Sequence, residues 1–298
     1  MKSRLSLKNL VKAGLNFIFI ALLLLSGCSS STSPTYLNEN IAQTIQNICK
    51  NEYKVAVQTR LIGSTIWVYL PVEEIFGENK KKKKPQKSIE RFQVEANGSR
   101  FHEETFQIEY IVKAIPEKEK IQQFDYNEAA AEKINNVWKV LRRVLFSMDS
   151  KDKSAPKFCY LVVGDIKNGY DLEQVFFEPD LKKVSYGFIS FDEFQHRAIQ
   201  NTNMSKEIIG DTQGAHLSYK DLTMGDFLAM QIKNRINLKF GKPEVGKNVD
   251  IDKEILKIIV YTLKLYNFQD FSFVDLYNLL TNQKSLLNKA AILSKSTT

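Results

Sequence analysis

The chain predicts an α+β fold: a mostly antiparallel sheet with helices packed on one face, followed by a helical C-terminal subdomain. Three observations carry this. Apolar and polar residues alternate with period two in several segments between residues 55 and 189. One long amphipathic stretch, Asp125 to Met148, interrupts them. Beyond about residue 190 the apolar spacing changes to three and four. Helix-strand-strand followed by strands-helix-strands suits an antiparallel sheet backed by helices. With 43% hydrophobic and 11% aromatic residues, a packed core is expected rather than disorder.

The elements follow in order. Asn38 caps a helix to about Lys50, with Ile41, Ile45 and Ile48 on one face. Val55, Val57, Thr59 and Leu61 alternate with polar residues, and Gly63-Ser64 turns the chain into Thr65–Leu70. A loop follows, in which Lys80, Lys81, Lys82, Lys83 and Lys84 repel one another in solvent. Strand character returns over Ile89–Ala96, and Asn97-Gly98 signals a tight turn into the alternating run Phe106–Val112. The long helix starts near Asp125, with Glu128 three residues on, and buries Ile134, Val137, Trp138, Leu141, Val144 and Leu145. A meander then uses Phe158–Ile166, a turn at Asn168-Gly169, Leu172–Glu178, a turn at Pro179-Asp180, and Lys183–Ile189.

Ser190 with Glu193 opens a short helix to about Gln200, residues 201–217 connect, and Ser218 with Asp221 opens another helix. The end of that helix is ambiguous, because Ile236, Leu238 and Phe240 alternate like a strand. Ile251, Ile255, Ile258, Ile259 and Leu263 define a third helix, and Phe273, Leu276, Tyr277 and Leu280 begin a fourth.

The N-terminus carries an address. Lys2, Arg4, Lys8 and Lys12 precede an apolar run from Ala13 to Leu25, broken only by Asn16. Thirteen helical residues rise about 20 Å, short of a hydrocarbon core of about 30 Å, so the segment reads as an export signal. It closes on Leu25-Ser26-Gly27-Cys28, which resembles the lipobox of bacterial lipoproteins. That resemblance implies cleavage between Gly27 and Cys28 and acylation of Cys28, the membrane partner being the bilayer that receives the acyl chains. Each buried CH₂ contributes about 0.8 kcal/mol, so two or more chains anchor stably. Ser29 in place of Asp after the cysteine implies an outer membrane facing the periplasm, over the inner membrane or cell surface. Residues 1–27 thus read as leader, 28–36 as a Ser/Thr tether, 37–200 as an α+β domain with a Lys-rich loop at 78–88, and 201–298 as a helical region.

Removing the leader takes four of 42 basic residues and none of 34 acidic ones. The mature chain keeps 38 against 34, a net of +4, which makes no case for nucleic acid. Cys49 and Cys159 remain: either they pair, closing a loop worth about 4–5 kcal/mol, or they are buried free thiols. The zinc-protease, serine-hydrolase and P-loop patterns are absent. Glu193-Phe-Gln-His196, beside Asp192, has the spacing of a metal pair, but a capping box from Ser190 accounts for Glu193, and neither metal nor cofactor is expected. His102, Glu103 and Glu104 read as a solvated bend. The run Lys80–Lys84 either touches an anionic surface, at about 1 kcal/mol per lysine, or stands in water without a partner.

These features predict a lipid-anchored envelope module that binds or scaffolds, its partner an envelope protein or cell-wall polymer. The alternative is an anchored hydrolase of envelope polymers using two carboxylates about 5–10 Å apart in a cleft.

Overall fold

The segments Thr65–Val72 and Phe158–Asp165 contain almost no polar position, and a strand of that kind needs apolar layers on both sides. The computed structural model describes residues 36–78, 91–115, 124–148, 154–240 and 250–294. In it both segments are central strands, buried almost throughout. Cys28, Gly27 and Lys80–Lys84 lie outside the described residues.

In chain order come α1 (Ile41–Tyr53), β1 (Gln58–Ile62), β2 (Thr65–Val72), β3 (Phe76–Glu78), β4 (Arg91–His102), β5 (Thr105–Ile115) and β6 (Phe124–Tyr126). The long amphipathic helix is α2 (Glu128–Phe146), followed by β7 (Phe158–Asp165) and β8 (Tyr170–Phe177). Next are α3 (Glu178–Ser185), α4 (Phe191–Arg197), β9 (Ile199–Met204), α5 (Met224–Phe240), α6 (Ile251–Leu265), β10 (Phe273–Asn278), β11 (Gln283–Asn288) and α7 (Lys289–Leu293).

The α+β class holds. A five-stranded sheet has the order β1-β2-β7-β8-β9, parallel only between β2 and β7. A four-stranded sheet has the order β11-β10-β5-β4, parallel only between β10 and β5. Side chains alternate across the larger sheet, so each face feeds its own core. Ile66, Val68, Cys159 and Leu161 pack with Ile41 and Ile45 of α1 and Val137 and Leu141 of α2. Trp67, Tyr69, Phe158 and Tyr160 share the other core with α5, α6 and the four-stranded sheet. Both faces are therefore covered. The last third contributes strands as well as helices, since β10 pairs with β5.

Several local expectations are corrected. Asn97-Gly98 does not turn the chain: β4 runs through it with a bulge between Ala96 and Gly98, and the Ala96 N–H beside the bulge donates to Asn237 Oδ1 of α5 at 2.9 Å. The reversal comes at Glu103-Glu104, φ +46° and +56°, because His102 pairs with Thr105 and a two-residue loop demands left-handed backbone. Residues 183–189 are not a strand. Pro179 starts α3 instead, at a position where its missing N–H has no helical acceptor to lose. Phe273–Asn278 is a strand rather than a helix, its backbone satisfied by β5 on one side and β11 on the other. Ile236 and Phe240 are buried at helical spacing in α5, while Leu238 between them is 43% exposed.

Cys49 and Cys159 are not bridged. Both are free thiols buried in the same core. Burial pushes the Cys49 thiol up to about 11 and raises that of Cys159 as well. The thiolate that exchange chemistry requires is therefore suppressed.

Candidate functional site

The site is built where β7 turns into β8. Asp165, fully buried, accepts hydrogen bonds from the backbone N–H groups of Ile75 (2.8 Å) and Asn168 (2.8 Å), which fixes the turn at Asn168-Gly169. Gly169 at φ +76° leaves room for the chain that follows β9, and Ser205 N–H donates to its carbonyl at 3.0 Å. Asp171 is thereby set at the first inward position of β8. The strap of residues 205–222 crosses above it and is anchored twice more. Gly210 N–H donates to Ile166 O (2.8 Å), and Asp221 Oδ1 accepts from Ser64 N–H (2.8 Å) and Thr65 Oγ1 (3.0 Å).

Asp211 organises the middle of the strap. Its carboxylate accepts the N–H groups of Gln213 (2.8 Å), Gly214 (2.9 Å) and His216 (3.0 Å). Tyr69 Oη donates to the Asp211 carbonyl at 2.6 Å, and the Tyr69 ring meets the His216 ring edge-on with centroids 5.5 Å apart. The His216 imidazole lies between two acids. Nδ1 is 2.5 Å from Asp211 Oδ2 and Nε2 is 2.7 Å from Asp171 Oδ2. Side-chain exposure is 7% for His216, 4% for Asp171 and 10% for Asp211.

A neutral imidazole has one N–H and cannot donate to both acids; the imidazolium can. Burial alone would lower the His216 value, but the hydrogen bonds to Asp211 and Asp171 outweigh it and raise it. Burial would likewise raise Asp211, yet the backbone and ring N–H groups of His216 and the N–H of Gln213 hold it at about 2. Burial does raise Asp171, against the opposing pull of His216. Its Oδ1 is buried without a hydrogen-bond partner among the described residues.

What this arrangement can do follows from its occupancy. A general base needs a lone pair directed at substrate, and both His216 nitrogens are committed to carboxylates. The Tyr69 hydroxyl is likewise spent on a carbonyl. The triad is an electrostatic clasp that pins the strap to β2 and β8. Among the described residues, no group of three or more His, Cys, Asp or Glu is placed to hold a metal ion.

The other candidates are scattered. His102 is exposed and 3.5 Å from Glu103, at the β4–β5 reversal. Glu193 N–H is capped by Ser190 Oγ at 3.0 Å, and the Glu193 carboxylate is held by Arg197 Nε at 2.8 Å, while Asp192 and His196 stand in solvent. A shallow depression of about 640 Å³ contains Glu104, Asp270 and Lys289, but both acids are exposed and Glu104 accepts from Ser272 Oγ at 2.6 Å. A narrower groove of about 320 Å³ lies between α2 and β7–β8, lined by Tyr126, Ile134, Trp138, Val163 and Leu172.

Two features escaped the sequence. Asp171, Asp211 and His216 come from separate segments, and only the glycines Gly210 and Gly214 around Asp211 hinted at a shaped loop. The exposed aromatics Tyr186 and Phe188 fall inside the strand expected over Lys183–Ile189, and Phe191 in the helix expected from Ser190.

Compared with protein-family models, curated proteins and solved structures, the chain finds no match. No helix among the described residues is long and apolar enough to cross a membrane.

Proposed function

We propose that the chain is a lipid-anchored lipoprotein of the bacterial cell envelope whose body binds or scaffolds rather than catalyses. The observation that carries this reading is the leader ending in Leu25-Ser26-Gly27-Cys28, followed by the small polar tether Ser29 to Thr35. The geometry of the body supports the second half. Both His216 nitrogens of the buried cluster are committed to internal carboxylates, and the acids of the depression beside Lys289, Glu104 and Asp270, stand in water. An acid–base pair for polymer hydrolysis needs one carboxyl withdrawn from solvent and within reach of substrate. The partner proposed is an envelope protein or cell-wall polymer, met at the outer membrane on its periplasmic side.

Mass spectrometry of the N-terminal peptide, from protein made with its own leader in a bacterial host, tests the anchor. Cleavage before Cys28 with a diacylglyceryl thioether on that residue is expected, and C28A should abolish incorporation of labelled palmitate. An intact leader, or a processed Cys28 without fatty acid, overturns the reading. Turnover of purified wall fragments by the acylated protein would overturn the non-enzymatic half alone.

A further inference from the structure

We propose that the turn joining α3 to α4 is a membrane-docking wedge, which seats Tyr186, Phe188 and Phe191 in the headgroup layer of a phospholipid bilayer. The inference rests on the lipid anchor proposed at Cys28. It adds a second, non-covalent contact made by the folded body.

The turn is held open by its own backbone. Helix α3 ends in a paired set of bonds: Gly187 N–H donates to Val184 O (3.2 Å) and Phe188 N–H to Lys183 O (2.8 Å). This is the Schellman arrangement, with Gly187 at φ +76° in the left-handed position. A hydrophobic residue at the place of Phe188 ordinarily packs on the last helical turn. Here that turn presents Lys183, and Phe188 is 78% exposed. Two residues after Phe188, Ser190 caps α4 through its Oγ, so the chain is fixed on both sides of the tip. Leu181 and Phe194 root the two helices in the core, and Arg197 binds them together through Asp180 (2.9 Å) and Glu193 (2.8 Å). The backbone that carries the rings is thus fixed at both ends of the turn.

The result is a contiguous aromatic surface of Phe146, Tyr186 and Phe188, with Phe191 exposed on the far side of the tip. Tyr186 and Phe191 are each 63% exposed and Phe146, at the end of α2, is 37% exposed. Ring centroids are 4.9 Å apart between Phe146 and Tyr186, and 6.0 Å between Tyr186 and Phe188. Exposed Arg142, one turn back on α2, flanks the rings with positive charge, and Lys183, 44% exposed, lies beside them paired to buried Asp180 at 3.2 Å. Aromatic rings bordered by long cationic side chains match the water–lipid boundary, where rings sit at headgroup depth and cations reach phosphate.

The position of the surface selects the lipid as its occupant. Tyr36 packs against the core that includes α2 and lies near Arg143. Arg143 stands three residues, less than one helical turn, from Phe146. Leu37, beside Tyr36, is 62% exposed. Seven residues separate Cys28 from Tyr36, and seven extended residues span at most about 25 Å. A bilayer entered by acyl chains at Cys28 therefore lies within reach of the end of the body that carries the rings.

The test uses the full acylated chain carrying F188W, reconstituted in phosphatidylethanolamine–phosphatidylglycerol vesicles with or without brominated lipid. Trp67 and Trp138 are subtracted using the unsubstituted protein, and L280W, at the exposed β10–β11 turn, is the control. Blue-shifted emission from the indole at position 188, and quenching by brominated lipid about twofold or more beyond that of L280W, is expected. F191W, measured in the same way, guards against a misfolded first variant. Mass spectrometry of the same sample reports Cys28 separately. Quenching no greater than in L280W, with Cys28 acylated, overturns the wedge and leaves the anchor standing. A dimer in detergent that F188S dissolves also overturns it, because the rings then cover a second copy.

Discussion

Replacing His216 with leucine removes the cation between two buried carboxylates. Breaking a buried ion cluster by deleting one partner typically costs about 3–5 kcal/mol, because a charge is left unpaired. The local geometry allows a closer figure. Asp211 is held at about 2, against 3.8 for the free acid, but the backbone N–H groups of residues 213 and 216 supply part of that shift and survive the substitution, so the loss is smaller than the roughly 2.5 kcal/mol the whole shift represents. Asp171 works in the opposite direction, since burial already raises it and protonation can relieve part of the loss in the variant. A net destabilisation of about 1–3 kcal/mol near neutral pH is therefore expected.

The pH dependence fixes the sign. His216 is raised, so its contribution is full below the unfolded value of about 6.5 and is lost as pH rises through the folded value. Asp211 is lowered, so its contribution is present above about 3.8 and lost as pH falls through about 2. The clasp is strongest between about pH 4 and 6.5. Urea unfolding followed by tryptophan fluorescence, on the unsubstituted chain and H216L at about pH 6 and pH 9, reads this directly. The stability gap should narrow at the higher pH with slopes unchanged. A gap below about 0.5 kcal/mol at pH 6, or one equally large at both pH values, would refute the imidazolium argument.

Three further outcomes are expected. A Cβ on Gly164 would stand 2.4 Å from Tyr69 Oη, so G164A should cost about 1–3 kcal/mol and loosen the strap, measurable as faster amide exchange over residues 211–216. Glu103 and Glu104 hold left-handed backbone that Asn and Gly adopt more readily, so E103N/E104G should raise the thermal midpoint by an amount worth about 1 kcal/mol; an unchanged midpoint would contradict the turn assignment. Cys49 and Cys159 should resist a thiol reagent in the folded protein and both titrate in denaturant, with stability indifferent to reductant; a reductant-sensitive midpoint would restore the disulfide.

Legibility in the sequence followed the range of the interactions. Residues 65–72 and 158–165 were readable because burial on a strand is written in consecutive side chains, and α2 because its apolar stripe spans five turns. Phe273–Asn278 was misread because the same apolar spacing serves a helix or a two-sided strand, and pairing with β5, some 168 residues earlier, decides between them. Asn97-Gly98 has strong turn character of its own, yet the register that opposes His102 to Thr105 places the reversal six residues later.

The sequence alone carried the lipobox-like run on which the proposed anchor rests, the α+β class and the absence of the common catalytic motifs, since each is encoded in neighbouring residues. Tertiary structure alone decided that His216 meets Asp171 and Asp211, that two cysteines in one core stay apart, and that Tyr186, Phe188 and Phe191 face outward. The physical reason is that burial, and with it ionisation and exposure, depends on what the rest of the chain places around a side chain.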